Sequence, residues 1–166
     1  LFLRYRNDYP RWRNTIAIAT ATALIGFIFF PLMPPRLLDQ YCTSCTYGFV
    51  DTLAKYPTFW SFNSGAVSRI SNQYAAMPSL HIGWASWCAF GMWPLMRRRW
   101  ARALVLLYPA LTLFCIIVTA NHYWIDGLGG LITLGVAFML GNWIHRWNQT
   151  RLDRKFAVAK SGHPAG

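Results

Sequence analysis

The chain has 166 residues, of which 55% are hydrophobic, 17% aromatic and only 13% charged, and its formal net charge is +11. Four uncharged runs, at 15–33, 82–96, 103–121 and 127–144, are more than the core of a soluble domain this size would use, and tryptophans flank them as interface anchors do. The basic charge falls in three blocks between these runs rather than on one face, which excludes nucleic acid as the reason for it.

In chain order, a basic, aromatic juxtamembrane segment leads into a first span over about 14–33. The span is too long for the apolar core of a signal peptide and lacks a small-residue cleavage site. Pro31, Pro34 and Pro35 close it, since proline cannot continue a helix without losing hydrogen bonds. A loop over 34–78 follows, in which 47–56 reads as a short amphipathic helix and 60–74 is rich in Ser, Asn and aromatics. Short interfacial helices are expected there, lying across the mouth of the bundle. Cys42 and Cys45 in this loop read as a local disulfide, whereas Cys88 and Cys115 read as packing residues within spans.

The second span, about 79–96, reaches bilayer length only by including Ser79, Leu80 and His81, which puts His81 about one turn inside its mouth. The third, about 103–121, carries Pro109 and is expected to kink there. The fourth, about 122–144, begins with His122 and Asp126 and contains Gly127, Gly129, Gly130 and Gly135, which would permit close helix contact. A polar tail, 148–166, is expected to be poorly ordered. The resulting fold class is an all-α, polytopic transmembrane helical bundle. Its membrane-embedded domain covers 1–147 and its cytoplasmic tail 148–166.

Arginine and lysine concentrate before the first span, between the second and third, and after the fourth, while the alternate loops hold only Arg36, Lys55 and Arg69. The positive-inside rule therefore places both termini of this segment in the cytoplasm and the loop 34–78 outside. Both histidine motifs then open on the same outer face. The expectation is a multi-pass protein of the plasma membrane.

Those motifs carry the chemistry. At i, i+4 on one helix face, the Asp126 carboxylate can accept the Nδ1 proton of His122 and leave Nε2 free as a nucleophile. A pair that only satisfies itself at a helix end is the bland alternative. In Pro78-Ser79-Leu80-His81, proline suits the first helical turn, whose free amides, with the Ser79 hydroxyl, make an anion site. His81 is then placed to protonate a leaving oxygen; an N-cap beside an interfacial histidine is the competing account. Together these parts suit phosphoryl transfer, which needs mainly positioning and charge stabilisation. Arg36 is the first choice to clamp the phosphate, Arg69 the second and Lys55 the third. No metal is required by these parts, the chain having no glutamate and only Asp39, Asp51 and Asp126 on the outer side.

Ala75-Ala76-Met77-Pro78-Ser79-Leu80-His81, followed by Asn121-His122-Tyr123 and Asp126, resembles the type 2 phosphatidic acid phosphatase superfamily. The His-Tyr form of the second motif most resembles the branch containing inositol phosphorylceramide synthase and its bacterial relatives. The resemblance implies a metal-independent helical membrane enzyme without cofactors, working on a lipid phosphate through a phosphohistidine, with an alcohol such as inositol as acceptor in the transferase case. It implies His122 as nucleophile, Asp126 as its partner, His81 as acid/base and Ser79 in the phosphate cradle. Members commonly have six spans, so these four read as part of a six-span fold. The superfamily's Arg-Pro motif is absent, and its Ser-Arg pair is replaced by Cys115-Ile116. Arg36 and Arg69 are thus read from charge and position, not from the resemblance. Two other classes stay open on sequence: a non-catalytic lipid-binding module, and a metal-dependent hydrolase using His81, His122 and Asp126 as ligands.

Overall fold

A computed structural model describes residues 6–41, 44, 47–51, 55 and 74–161. They form an all-α bundle, with no β-strand among the described residues. Its helices are α1 (Tyr9–Phe29), α2 (Leu38–Tyr41), α3 (Leu80–Met92), α4 (Arg99–Val118) and α5 (Trp124–Ser161). Three of them, α1, α4 and α5, are long and apolar enough to cross a membrane.

Helix α3, from the second predicted span, is shorter than expected. It has 13 residues before a 3-10 turn, Trp93–Leu95, that contains Pro94. At 1.5 Å per residue the α-helical part is about 20 Å long, short of a bilayer core of about 30 Å. Helix α4 runs unbroken through Pro109. Helix α5 departs most from expectation: it continues through Ser161, so the polar tail is helical at 148–161 rather than poorly ordered. That segment carries two Arg, two Lys and two Ala and has no Gly or Pro before Gly162. Extending a helix already nucleated in the bundle needs no apolar face of its own.

The bundle closes on small residues. Thr15, Ala19 and Ala23 form the buried stripe of α1 at four-residue spacing. Their partners on α5 include Leu134 and Ala137, with Trp87 of α3 packed against the same core. Such stripes let helix backbones approach where lipid supplies no hydrophobic drive between helices. A Cβ added at Gly141 would lie 2.8 Å from Thr15 Oγ1. Indole groups fasten α3 to α1: Trp84 Nε1 donates to Thr20 Oγ1 at 3.0 Å, and Trp87 Nε1 to the Trp12 carbonyl at 3.0 Å. Of the glycines expected at contacts, Gly127, Gly129 and Gly130 do face neighbours, but Gly135 opens onto free space.

Above α1, a 3-10 turn, Pro35–Leu37, and the four-residue α2 lead into the loop. Residues 47–51 are not helical, contrary to the amphipathic helix expected from 47, although Lys55 N–H bonds the Asp51 carbonyl at 2.9 Å. Most of the loop, with Cys42, Cys45 and Arg69, lies outside the described residues. Cys88 is half-buried, whereas Cys115 is exposed on α4 and does not pack.

Candidate active site

The end of α4 sets the site. Asn121 N–H bonds the Ile116 carbonyl at 3.0 Å and Ala120 N–H bonds that of Ile117 at 2.9 Å. With Ala120 left-handed at φ 52°, these two bonds make a Schellman stop. Glycine usually fills that position, because a Cβ there costs about 1–2 kcal/mol. His122 N–H bonds the same Ile116 carbonyl at 3.1 Å, so the histidine backbone is tied to the helix that precedes it.

His122 therefore lies before α5, not on it. Tyr123 is the N-cap and Asp126 the third helical residue, and Asp126 Oδ2 reaches back to accept Tyr123 N–H at 2.8 Å. This is the carboxylate half of a capping box. The same oxygen sits 3.4 Å from His122 Nδ1. That is an ion-pair distance without hydrogen-bond alignment, as Nδ1 has no hydrogen-bond partner. The two groups are brought together, but without the expected hydrogen bond, and through a cap reaching back rather than along one helix face.

Across the site, Ser79 caps α3 in position but not by hydrogen bond, and Pro78 precedes the cap instead of occupying the first turn. Ser79 N–H bonds the Asp126 carbonyl at 3.0 Å, joining the starts of α3 and α5. A Cβ on Gly130 would overlap the Ser79 carbonyl oxygen, so this contact requires glycine. Ser79 is 1% exposed, and its hydroxyl has no partner. Leaving such a group unpaired costs roughly 1–3 kcal/mol, and a capping role does not account for it.

His81, the second residue of α3, faces His122. Its Nδ1 lies 3.2 Å from His122 Nε2, with the rings edge-to-face at 5.3 Å between centroids. The three side chains thus form a line, Asp126 to His122 to His81. With the proton of His122 on Nδ1, toward Asp126, the Nε2 lone pair accepts from His81. Burial lowers the His122 pKa from the usual histidine value, and His81 lowers it further, against the opposing pull of Asp126 and the Ala76 backbone. A metal set would need the three to converge; among the described residues no three His, Cys, Asp or Glu groups are gathered to hold an ion.

Arg36 is buried beside this corner. Its N–H bonds the Ala120 carbonyl at 2.9 Å, two residues from His122. Its Nη1 contacts both Asp51 oxygens at 3.2 and 3.3 Å, and its Nε is buried without a partner. Sequence reasoning missed Asp51, although a chain with five acidic residues makes each outer carboxylate a natural partner for a buried arginine. It also missed Ala120, which carries no helix-stop signal, and did not single out Gly130 among its neighbours. Arg69 lies outside the described residues.

No curated protein and no solved structure matches the chain. The family model described as the PAP2 superfamily matches residues 1–140, which takes in every element of the site. With three helices long and apolar enough to cross a membrane and both histidine motifs inside the matched region, the chain belongs to the PAP2 superfamily.

Proposed function

We propose that this protein is a metal-independent lipid phosphatase or phosphotransferase that works through a phosphohistidine on His122. The observation that carries the reading is the line of Asp126, His122 and His81 beside the unpartnered Ser79 hydroxyl. Nε2 of His122 attacks phosphorus, the bond to the leaving oxygen breaks, and His81 supplies the proton that oxygen needs. Asp126 stabilises the positive charge that develops on the imidazole. In the second step, water or an alcohol gives up a proton to His81 and attacks phosphorus, freeing His122. Attack and departure occur on opposite faces of phosphorus, so the two rings must part to admit the phosphate between them.

Ser79 and the first amides of α3 cradle the phosphoryl oxygens. Arg36, buried beside the site, is the first candidate clamp, and substrate phosphate would compete with Asp51 for its guanidinium. Arg69 is the other candidate. The alcohol-acceptor version, inositolphosphotransferase-like, rests on the His-Tyr form of the second motif and on the missing Ser-Arg pair. The distribution of basic residues supports a plasma-membrane protein with cytoplasmic termini and an outward-facing site.

The test is turnover in mixed micelles of phosphatidic acid, polyprenyl diphosphate and phosphatidylinositol, with and without inositol, scoring free phosphate against a new lipid. The expected result is activity that survives EDTA in the wild type and vanishes in His122→Ala. An active His122→Ala protein rules out the nucleophile, and loss of activity to EDTA rules out the metal-free scheme.

A further inference from the structure

The end of the bundle away from the histidines holds a second arrangement that phosphoryl transfer does not use. Arg11 and Gly26, which lies against Pro78, are about 22 Å apart along α1 at 1.5 Å per residue. Beside Arg11, a groove of about 510 Å³ is lined by Trp12, Phe90, Leu131, Leu134, Gly135 and Phe138. Gly135 makes part of this space: a Cβ there would meet nothing within 4 Å, in contrast to Gly127, Gly129 and Gly130 higher on the same helix.

A guanidinium stands at the groove's basic end. Arg11 lies over the ring of Phe138 at 4.6 Å and near that of Trp12 at 5.8 Å. Both rings belong to the groove wall, and they are held in place. Trp12 packs on Phe138 at 5.6 Å and on Trp87 at 6.4 Å between centroids, while its carbonyl accepts the Trp87 indole N–H. Arg11 Nε is buried and unpartnered, and among the described residues no carboxylate pairs with the side chain. Stacking on aromatic faces leaves the edge of a guanidinium open, and that edge matches a phosphate diester in two-point contact.

We propose that this groove with Arg11 is a binding site for an anionic glycerophospholipid, one hydrocarbon chain lying over Gly135 and the headgroup phosphate on the Arg11 guanidinium. The site is separate from the histidine corner, and the inference does not rest on the phosphohistidine reading. The groove cannot select lipid by hydrophobicity, because a chain leaves one apolar medium for another. Selection comes from charge. An anionic headgroup offers its phosphate alone, whereas a choline headgroup carries its own cation.

The test uses purified full-length chain, stripped of lipid in detergent and titrated with equal amounts of phosphatidylglycerol and phosphatidylcholine, with retained lipid counted by native mass spectrometry. The wild type is expected to keep phosphatidylglycerol preferentially. Arg11→Gln should lower that preference about fivefold, the equivalent of about 1 kcal/mol for exchanging one charge-assisted phosphate contact for a neutral one. Arg13→Gln, an exposed neighbour bonded to Asn14, should leave it unchanged. Gly135→Leu fills free space in a helix and should reduce retention of both lipids. The proposal is overturned by a wild type without preference, by equal losses in the Arg11 and Arg13 variants, or by full retention in Gly135→Leu.

Discussion

Asp126 performs two tasks with one oxygen, and substitution can separate them. Oδ2 accepts the Tyr123 N–H at 2.8 Å, which caps α5, and faces His122 Nδ1 at 3.4 Å. In Asp126→Asn a carbonyl oxygen in the same place keeps the cap but loses the charge. The stability cost is then only the carboxylate's interaction with the helix N-terminus, about 0.3–1 kcal/mol. In Asp126→Ala the cap is lost as well, adding about 0.5–2 kcal/mol and leaving a cavity at a fully buried side chain. Catalysis should divide differently. The ion pair with the imidazolium that forms on attack contributes on the order of 1–1.5 kcal/mol, so loss of the charge alone should lower kcat/KM about tenfold. The assay pairs thermal unfolding in detergent with lipid phosphate turnover. The expected pattern is an Asn variant close to wild type in stability but tenfold slower, and an Ala variant impaired in both. If Asn and Ala destabilise equally, the cap is not made by this oxygen; if the Asn variant is fully active, the charge has no catalytic role.

Gly130→Ala should drive the Ser79 carbonyl from its position, with about 1–3 kcal/mol of destabilisation and loss of turnover, read by unfolding and activity together. Gly141→Ala meets Thr15 at the far end of α1, so it should cost similar stability while the folded fraction keeps wild-type kcat. Ala120→Gly should raise stability by up to about 1 kcal/mol, since relief of the left-handed alanine exceeds the added freedom of the unfolded chain; a loss larger than that would rule out backbone strain at the stop. With His122 lowered from the ordinary value of 6.5 and required neutral for attack, the acid limb of kcat/KM should fall below pH 6.5. It should move lower still in Asp126→Asn, because Asp126 raises the His122 pKa.

The all-α class was legible from composition, and the two histidines because each sits in a short local motif where an apolar run begins, although 41 residues separate them. Four features were not, each for a physical reason. The start of α5 was misplaced because the stop at Ala120 uses alanine where the readable signal is glycine. Five glycines on one helix look alike in sequence, yet Gly130 admits a backbone and Gly135 opens a groove, a difference set by which face each presents. The helical tail was hidden because polarity was read as disorder, although a helix once begun continues wherever its residues tolerate it. Arg36 and Asp51 stand fifteen residues apart in the chain, and no periodicity encodes their pairing.

The turn at Ile116 has a consequence for how this chain can vary. One carbonyl receives both Asn121 and His122, and four residues later Asp126 must find the cap amide and the imidazole together. The segment is a fixed-length ruler between two helices. One residue inserted between Thr119 and Asn121 would turn His122 away from His81 while leaving every motif intact to the eye. Relatives of this protein should therefore differ in the length of their other connections long before they differ here, and any insertion at this turn marks a chain that has given up the chemistry.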